Sequence, residues 1–387
     1  MTKQSPIPVD KLYHVTLVTD DARSAAYAHG EFYGIDHWKI FHATPARLTN
    51  TTIFGRTPTA PPDAGVQGKN PVPGEYSFIS ATGSTANGAI TIQIVQPTGG
   101  LSTFEEFLVT RGTGIHGVCL SAVASEELAG IKQLLAQEGV RLAQSYVVEG
   151  VCEHYYFDTR ALLGFYLQVD VPLRSDWQDH YPTDEEWDFS SQITPHADAE
   201  VLKHATGFSH LGVVVRDVRS TVEAFWRLFD QPLWRGMHWR TAPGSLEDTT
   251  NNGQPVVHGY FTGRGNLCQN HLDVPFGFEI IQPTFGPSHY KEDFLDLIGP
   301  GIHHADVRVP MDWAQWEALN TWLANDFQAP TCMSGWLRNR TALFQYQNTS
   351  KSLGYVTEIV APPQPGKKFG GPSAPDYWYD FRGYTEE

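Results

Sequence analysis

Four apolar stretches open repeating units along the chain. They are LYHVTLVTDD from Leu12, GIHGVCLSAV from Gly114, FSHLGVVVRD from Phe208 and GIHHADVRVP from Gly301. Each predicts a strand and precedes a segment with apolar residues at helical spacing, such as Val222, Phe225 and Phe229. Every unit therefore begins with a strand and then a helix, which can cover one face of a sheet.

The last strands of the four units also resemble one another. They read ITIQIVQP from Ile90, FYLQVDVP from Phe165, FEIIQP from Phe278 and VTEIVAPP from Val356. In each of them a Gln or Glu stands four residues before a Pro. The pattern predicts a strand, a helix and three further strands in every unit, which makes an α+β protein of four βαβββ modules.

The modules are grouped in two halves. The first and third units lead into the next unit through similar segments, TFEEFLVTRGTGIH and YKEDFLDLIGPGIH. We therefore predict halves over residues 1–172 and 207–362, joined by a polar, acidic linker over 173–206. The tail, 363–387, is rich in Gly, Pro and aromatic residues. It is interpreted as an extended segment that wraps the body or a partner subunit, or else as an exposed flexible end.

Composition and charge restrict the class of partner. Hydrophobic residues make up 41% of the 387 residues and the net charge is -16, so we expect a globular protein that binds neither nucleic acid nor an anionic membrane. No apolar run is long enough to cross a bilayer, and the N-terminus is polar without a signal core, which predicts a cytoplasmic protein. A small-molecule substrate is expected, and both a monomer and a homodimer remain open.

Aligning the units brings two positions into register, one early in the first strand and one on the last strand. In the C-terminal half they hold His210, Glu279, His304 and Glu358. Two imidazoles and two carboxylates suit one divalent ion such as Zn, Ni, Co, Mn or Fe(II). The N-terminal equivalents are His14, Gln93, Gly117 and Gln168, so we expect no metal there.

Two histidines compete for the third ligand position. Because neighbouring strand residues face opposite sides of a sheet, the alignment favours His304 over His303. The sequence alone leaves this choice open. The four cysteines lack the spacing of a thiolate metal site and are predicted to be buried free thiols.

These units, with His near the start of the first strand and Glu or Gln on the last, resemble the vicinal oxygen chelate superfamily. The superfamily includes glyoxalase I, methylmalonyl-CoA epimerase, bleomycin-resistance proteins, extradiol dioxygenases and 4-hydroxyphenylpyruvate dioxygenase. The resemblance spans residues 12–362 and implies modules paired into two cup-shaped, glyoxalase-like halves around one metal. It also implies that the metal ligands of isomerase-like members match His210, Glu279, His304 and Glu358.

The ligand set favours metal polarisation with proton transfer, the chemistry of an isomerase, epimerase, lyase or hydrolase. By resemblance, Glu279 or Glu358 would leave the metal and act as the base. An Fe(II) ring-cleaving or 2-oxo-acid dioxygenase is the alternative, because the tandem architecture resembles those enzymes. Its facial triad needs one carboxylate, and this chain offers two. A binding protein without catalysis is a third reading.

Supporting residues are proposed between the ligand positions. His258 and Tyr260 share one strand face and are candidate proton donors to the substrate. Tyr346, Arg340 and Trp239 are candidate substrate-binding residues, with Arg340 as an anion clamp. Aromatic walls would favour an apolar or aromatic substrate.

Overall fold

The computed structural model describes residues 6–56, 76–241, 249–270, 272–336, 343–366 and 374–383. The chain divides into two compact units. The first comprises Met1–Glu31, Ile35–Thr159 and Phe165–Ile193, and the second comprises Phe32–Gly34, Arg160–Gly164 and Thr194–Glu387.

The first unit holds a mixed ten-stranded sheet with the order β10-β2-β4-β5-β1-β6-β9-β8-β7-β3. Its strands are β1 His14–Val18, β2 His37–Ala43, β3 Leu48–Ile53, β4 Ser77–Ser84, β5 Thr91–Gly99, β6 Gly114–Ala122, β7 Leu142–Val148, β8 Cys152–Phe157, β9 Tyr166–Pro172 and β10 Glu185–Asp188.

The second unit holds an eleven-stranded sheet with the order β14-β13-β18-β19-β20-β17-β11-β16-β15-β12-β21. Its strands are β11 Gly207–Val214, β12 Leu233–Thr241, β13 Thr249–Asn251, β14 Gln254–Val256, β15 His258–Gln269, β16 Pro275–Phe285, β17 Gly301–Arg308, β18 Thr331–Trp336, β19 Leu343–Gln347, β20 Val356–Val360 and β21 Tyr377–Asp380.

Helices link the strands of both units. The α-helices are α1 Ala22–Tyr33, α2 Thr103–Arg111, α3 Ser125–Gln137, α4 Arg160–Leu163, α5 Val218–Phe229, α6 Asp296–Ile298 and α7 Trp313–Asn325. A 3-10 helix covers Ala197–His204 and a π-helical turn covers Lys291–Leu295. Among the described residues, no helix is both long and apolar enough to span a membrane.

The module predicted from the sequence is visible in the second unit. One module runs β11, α5, β12, β15 and β16, the other runs β17, α7, β18, β19 and β20, and the two meet where β11 pairs with β17. The predicted α+β class with two curled, glyoxalase-like sheets is confirmed.

Additional strands extend the modules. The hairpin of β13 and β14 pairs with β18, and β21, which lies in the predicted tail, pairs antiparallel with β12. Residues 173–206, predicted as a linker, contain β10 and the 3-10 helix.

Helix α5 shows how packing determines which face of the sheet carries polar side chains. Asp217 caps its N-terminus by accepting a hydrogen bond from the Ser220 amide, which satisfies an otherwise free donor of the first turn. Its apolar side packs on the sheet, with the Phe225 ring 4.9 Å from the ring of Phe278 on β16. Alternate residues of β16 therefore point away from the helix, and these include Glu279.

Candidate metal centre

Three adjacent strands position His210, Glu279 and His304. In the register of β11 with β16, His210 lies opposite Gly277 and Gly212 lies opposite Glu279. On the other side of β11, Gly212 lies opposite His304. The imidazoles and the carboxylate therefore converge over Gly212, where a side chain would leave no room: a Cβ at this position would be 1.9 Å from His304 Cε1.

A β-bulge decides how the two consecutive histidines are arranged. Gly212 is opposite His304 but Val213 is opposite Ile302, so His303 is an extra residue on β17. His303 and His304 both contact Tyr346, with ring centroids 5.8 Å and 4.6 Å away. The expectation that alternation would turn His303 away does not hold here, because the bulge interrupts the alternation. His304 joins the other candidate ligands, whereas His303 Nε2 bonds His289 Nδ1 at 2.7 Å.

Glu358 enters from the second module. Strand β20 runs parallel to β17, with Asp306 opposite Glu358, and antiparallel to β19, with Tyr346 opposite Glu358. The four residues bring one ligand atom each to within 4.8 Å of one another. We call His210, Glu279, His304 and Glu358 the four-residue cluster.

The spacing of the cluster suits a metal ion. His210 Nε2 lies 3.1 Å from Glu358 Oε2, 3.3 Å from His304 Nε2 and 3.5 Å from Glu279 Oε2. His304 Nε2 lies 3.2 Å from Glu358 Oε2 and 3.8 Å from Glu279 Oε2. Metal bonds of about 2.0–2.2 Å in tetrahedral or octahedral geometry place neighbouring ligand atoms roughly 3.0–3.5 Å apart.

Unsatisfied polar atoms support this fit. Within the described residues, Glu358 Oε2 and His210 Nδ1 are buried without an aligned hydrogen-bond partner. His210 Nδ1 is nevertheless only 3.2 Å from Asp306 Oδ2, close enough for charge attraction. Since buried polar atoms in proteins are nearly always paired, the Glu358 oxygen fits a site that binds an ion, whereas His210 Nδ1 faces Asp306 and leaves Nε2 towards the cluster.

Electrostatics in the cluster favour a positive charge between the carboxylates. Burial and the Arg264 guanidinium lower the pKa of His210, but Asp306 and Glu279 outweigh them and raise it to about 10. Burial raises the pKa of Glu279, but the hydrogen bond and charge of His210 outweigh it and lower the pKa to about 2. Without metal, a proton on His210 balances the carboxylates, and a divalent ion can replace that proton.

The other predicted site residues lie at different distances from the cluster. The Tyr346 ring lies 4.6 Å from that of His304, and its hydroxyl is 2.6 Å from that of Tyr290. The Tyr260 ring lies 5.3 Å from that of Tyr290, which in turn lies 5.7 Å from the Tyr346 ring. Trp239 stacks on Tyr260 at 5.8 Å.

His258 contacts Tyr260 and is not part of the four-residue cluster. His258 is buried beside Tyr260, at 5.3 Å between rings, and its nitrogens have no hydrogen-bond partner in the described part of the chain. Burial lowers its pKa to about 4, so the ring is neutral at pH 7. Arg340 lies outside the described residues.

Sequence reasoning missed three neighbours of the cluster. Asp306 follows His304 by two residues on the same face of β17, so alternation could have found it. Arg264 lies opposite Glu279 in the register of β15 with β16, and its Nη2 donates to Ser209 Oγ at 2.8 Å. Tyr290 begins the segment YKEDFLDLIGPGIH between the modules, and its counterpart in the first half is Thr103, so the repeat gave no sign of a shared role.

A second group of candidate ligands lies in the first unit, at positions that the repeat did not mark. Cys152, His154 and Asp170 also bring their ligand atoms within 4.8 Å of one another. Hydrogen bonds already occupy the group: His154 Nδ1 is 2.8 Å from Asp170 Oδ1, and Gln168 Nε2 donates to the same oxygen at 2.9 Å. Tyr181 contacts the other nitrogen of His154 at 3.2 Å. The group is therefore satisfied without an ion, unlike the four-residue cluster.

Side-chain hydrogen bonds engage three of the predicted N-terminal equivalents of the cluster, His14, Gln93 and Gln168. His14 Nε2 lies 3.2 Å from Gln168 Oε1, and the Thr16 hydroxyl donates to Gln93 Oε1 at 3.1 Å. Neutral amides here replace the carboxylates of the other half, which removes the charge that a divalent ion needs.

Comparison with known proteins identifies the fold. No family model and no curated protein matches the sequence. A triple mutant of 4-hydroxymandelate synthase from Streptomyces coelicolor has a similar structure, with a TM-score of 0.51 and 12% identity over 93% of this chain and 94% of that chain. At this identity the likeness shows the fold alone. The fold of the vicinal oxygen chelate superfamily, predicted from the repeated units, is confirmed.

Two other solved structures are less similar to this chain. A halotolerant catechol dioxygenase gives a TM-score of 0.43 with 10% identity over 96% of this chain and 92% of that chain. The Mn(II)-bound glyoxalase from Novosphingobium aromaticivorans gives 0.40 with 12% identity over 92% and 83%.

Proposed function

We propose that the chain is a divalent-metal-dependent enzyme whose ion is held by His210, Glu279, His304 and Glu358. The observation that carries the proposal is the convergence of four ligand atoms within 4.8 Å, with a buried Glu358 oxygen that lacks an aligned partner in the described structure. When bound, the ion would polarise a substrate oxygen and stabilise the charge that develops on it.

Proton transfer is assigned to Glu279 rather than Glu358. The Glu279 side chain is 17% exposed and that of Glu358 8%, so Glu279 has more freedom to leave the ion and reach a substrate carbon. Arg264, opposite Glu279 on β15, would stabilise the charge of the released carboxylate. The reaction class that this arrangement favours is isomerisation, epimerisation, elimination or hydrolysis of a small oxygenated substrate.

Aromatic side chains on one side of the cluster suit an apolar or aromatic part of the substrate. Tyr346 is the nearest, with its ring 4.6 Å from that of His304, and in this proposal its phenol hydrogen-bonds a substrate oxygen. Trp239 and His258 both contact Tyr260, which in turn contacts the Tyr290 ring. In this proposal they bind the distal end of the substrate, where His258 supplies a polar contact.

Oxygenase chemistry on Fe(II) is the second candidate, and one observation favours it. A solved structure with a TM-score of 0.51 is a 4-hydroxymandelate synthase, whose name gives an aromatic hydroxy acid as its product. His210, His304 and Glu358 alone would make a triad of two imidazoles and one carboxylate, with Glu279 as an additional group.

The test is anaerobic proton exchange in deuterated buffer, with a panel of small 2-oxo and 2-hydroxy acids. For isomerisation, epimerisation or elimination the leading proposal expects metal-dependent deuterium incorporation next to the carbonyl, and Glu279→Gln should lose at least about 100-fold of the rate. Glu223→Gln, an exposed carboxylate on α5 paired with Arg227, is the matched control and should exchange normally.

The outcomes separate the two candidates. Oxygen uptake with bound iron and no anaerobic exchange would replace the leading proposal by the oxygenase. Full metal content and full exchange in Glu279→Gln would contradict both the ligand set and the assigned base.

A further inference from the structure

A cavity of about 850 Å³ lies within the second unit, a volume in the range of small-molecule sites. We call it the arginine cavity. It is lined by residues of β11, β12, β15, β17, β20 and β21, among them Ser209, Arg235, Arg264, Asp306, Arg308 and Trp378.

The arginine cavity is adjacent to the four-residue cluster. Arg264 lies opposite Glu279 on neighbouring strands, and Asp306 lies opposite both His210 and Glu358. Asp306 also contacts His210 directly, at 3.2 Å. A molecule in this cavity would therefore lie against residues that touch the candidate ligands.

The charges of the cavity oppose those of the whole chain. Three arginines, Arg235, Arg264 and Arg308, line it in a chain with a net charge of -16. Among the lining residues named above, Asp306 is the one carboxylate, and it is already engaged by His210. Arg235 lies opposite Arg264 in the register of β12 with β15, and burial and the charge of Arg264 lower the pKa of Arg235.

Arginines gathered at one cavity of an acidic chain suit an anionic ligand. Guanidiniums bind carboxylates and phosphates through paired, charge-assisted hydrogen bonds. Strand β21 adds an apolar wall, since Trp378, opposite Arg235 on β12, is 50% exposed and lines the same space.

We propose that the arginine cavity binds the anionic group, a carboxylate or phosphate, of a small organic substrate whose other oxygen reaches the metal. This inference rests on the proposed function for the role of the bound molecule. It gives the C-terminal tail a part in the site, because β21 completes the wall. The substrate class is then an organic anion with an apolar part.

The test is calorimetric titration of four probes, phenylacetate, phenyl phosphate, inorganic phosphate and neutral phenylacetamide, at constant ionic strength. Metal-loaded and chelator-treated protein are both titrated. We expect at least one organic anion to bind both forms, phenylacetamide to bind at least about tenfold more weakly, and Arg235→Gln to weaken anion binding at least about tenfold. Arg240→Gln is the control, because Arg240 lies on the same strand but is exposed and outside the cavity.

Each outcome has a defined meaning. Tighter binding of phenyl phosphate or of phenylacetate identifies the preferred anionic group. Equal binding of phenylacetamide, equal losses in Arg235→Gln and Arg240→Gln, or no binding of any anion would overturn the proposal. Anion binding by a protein that takes up no metal would support the cavity while contradicting the proposed function, so the two failures are distinguishable.

Discussion

Replacing Gly212 by alanine is predicted to abolish tight metal binding without unfolding the protein. The new Cβ would lie 1.9 Å from His304 Cε1 and 2.2 Å from His304 Nε2. Ordinary contacts begin near 3.4 Å, so the ring must retreat by about 1.5 Å. Metal bonds tolerate only about 0.2 Å of change, and His304 would therefore no longer bind the ion.

A lower limit can be given for the expected loss of metal affinity. Removing outer partners of metal ligands costs about 10–100-fold in affinity, so losing a ligand should cost at least about 100-fold, or about 2.7 kcal/mol. The assay is competitive titration of Zn²⁺ or Mn²⁺ against a chelator, with circular dichroism as a check of folding.

Gly130→Ala is the matched control for this change. A Cβ at Gly130, in helix α3, meets nothing within 4 Å. It should leave the metal affinity unchanged and stabilise the protein by up to about 1 kcal/mol. A Gly212→Ala protein that binds metal within threefold of the parent would refute the assignment of His304.

Two further predictions concern Asp306, which contacts a candidate metal ligand, and the pH dependence of stability. Asp306→Asn removes the carboxylate 3.2 Å from His210 Nδ1 and should weaken metal binding about 10–100-fold in the same titration; a change below threefold would show that Asp306 does not orient His210. Burial lowers the pKa of His29 to about 4, against about 6.5 when unfolded, so the unfolded state takes up its proton first as pH falls. Stability from this group is complete above pH 6.5 and lost towards pH 4, by about 2 kcal/mol between pH 7 and pH 5. Urea unfolding at both pH values should show a smaller pH effect in His29→Gln, and an unchanged effect would contradict the burial argument.

The repeat predicted much of the fold and placed the four candidate ligands because both depend on local pattern. Glu279 and Glu358 occupy equivalent positions before a Pro, and alternation along a strand is enough to put each on one face. The third and fourth units therefore have the same order of strands, and the ligand positions in each unit follow from that order.

Features that depend on contacts between distant segments could not be predicted. The bulge at His303 arises from the register of β17 with β11, which alternation within one strand does not reveal. Arg235, Arg264 and Trp378 meet only because β12 pairs with both β15 and the tail strand β21. The grouping of Cys152 with His154 and Asp170 likewise needs β8 to pair with β9.

The most direct test of the metal site is a crystal structure with anomalous diffraction data collected at the absorption edge of the bound metal. The account predicts one strong peak per chain within bonding distance of His210 Nε2 and His304 Nε2, with Glu279 and Glu358 completing the ligands. A peak at Cys152, His154 and Asp170 instead, or no peak in protein supplied with Zn²⁺, Mn²⁺ and Fe²⁺, would contradict it.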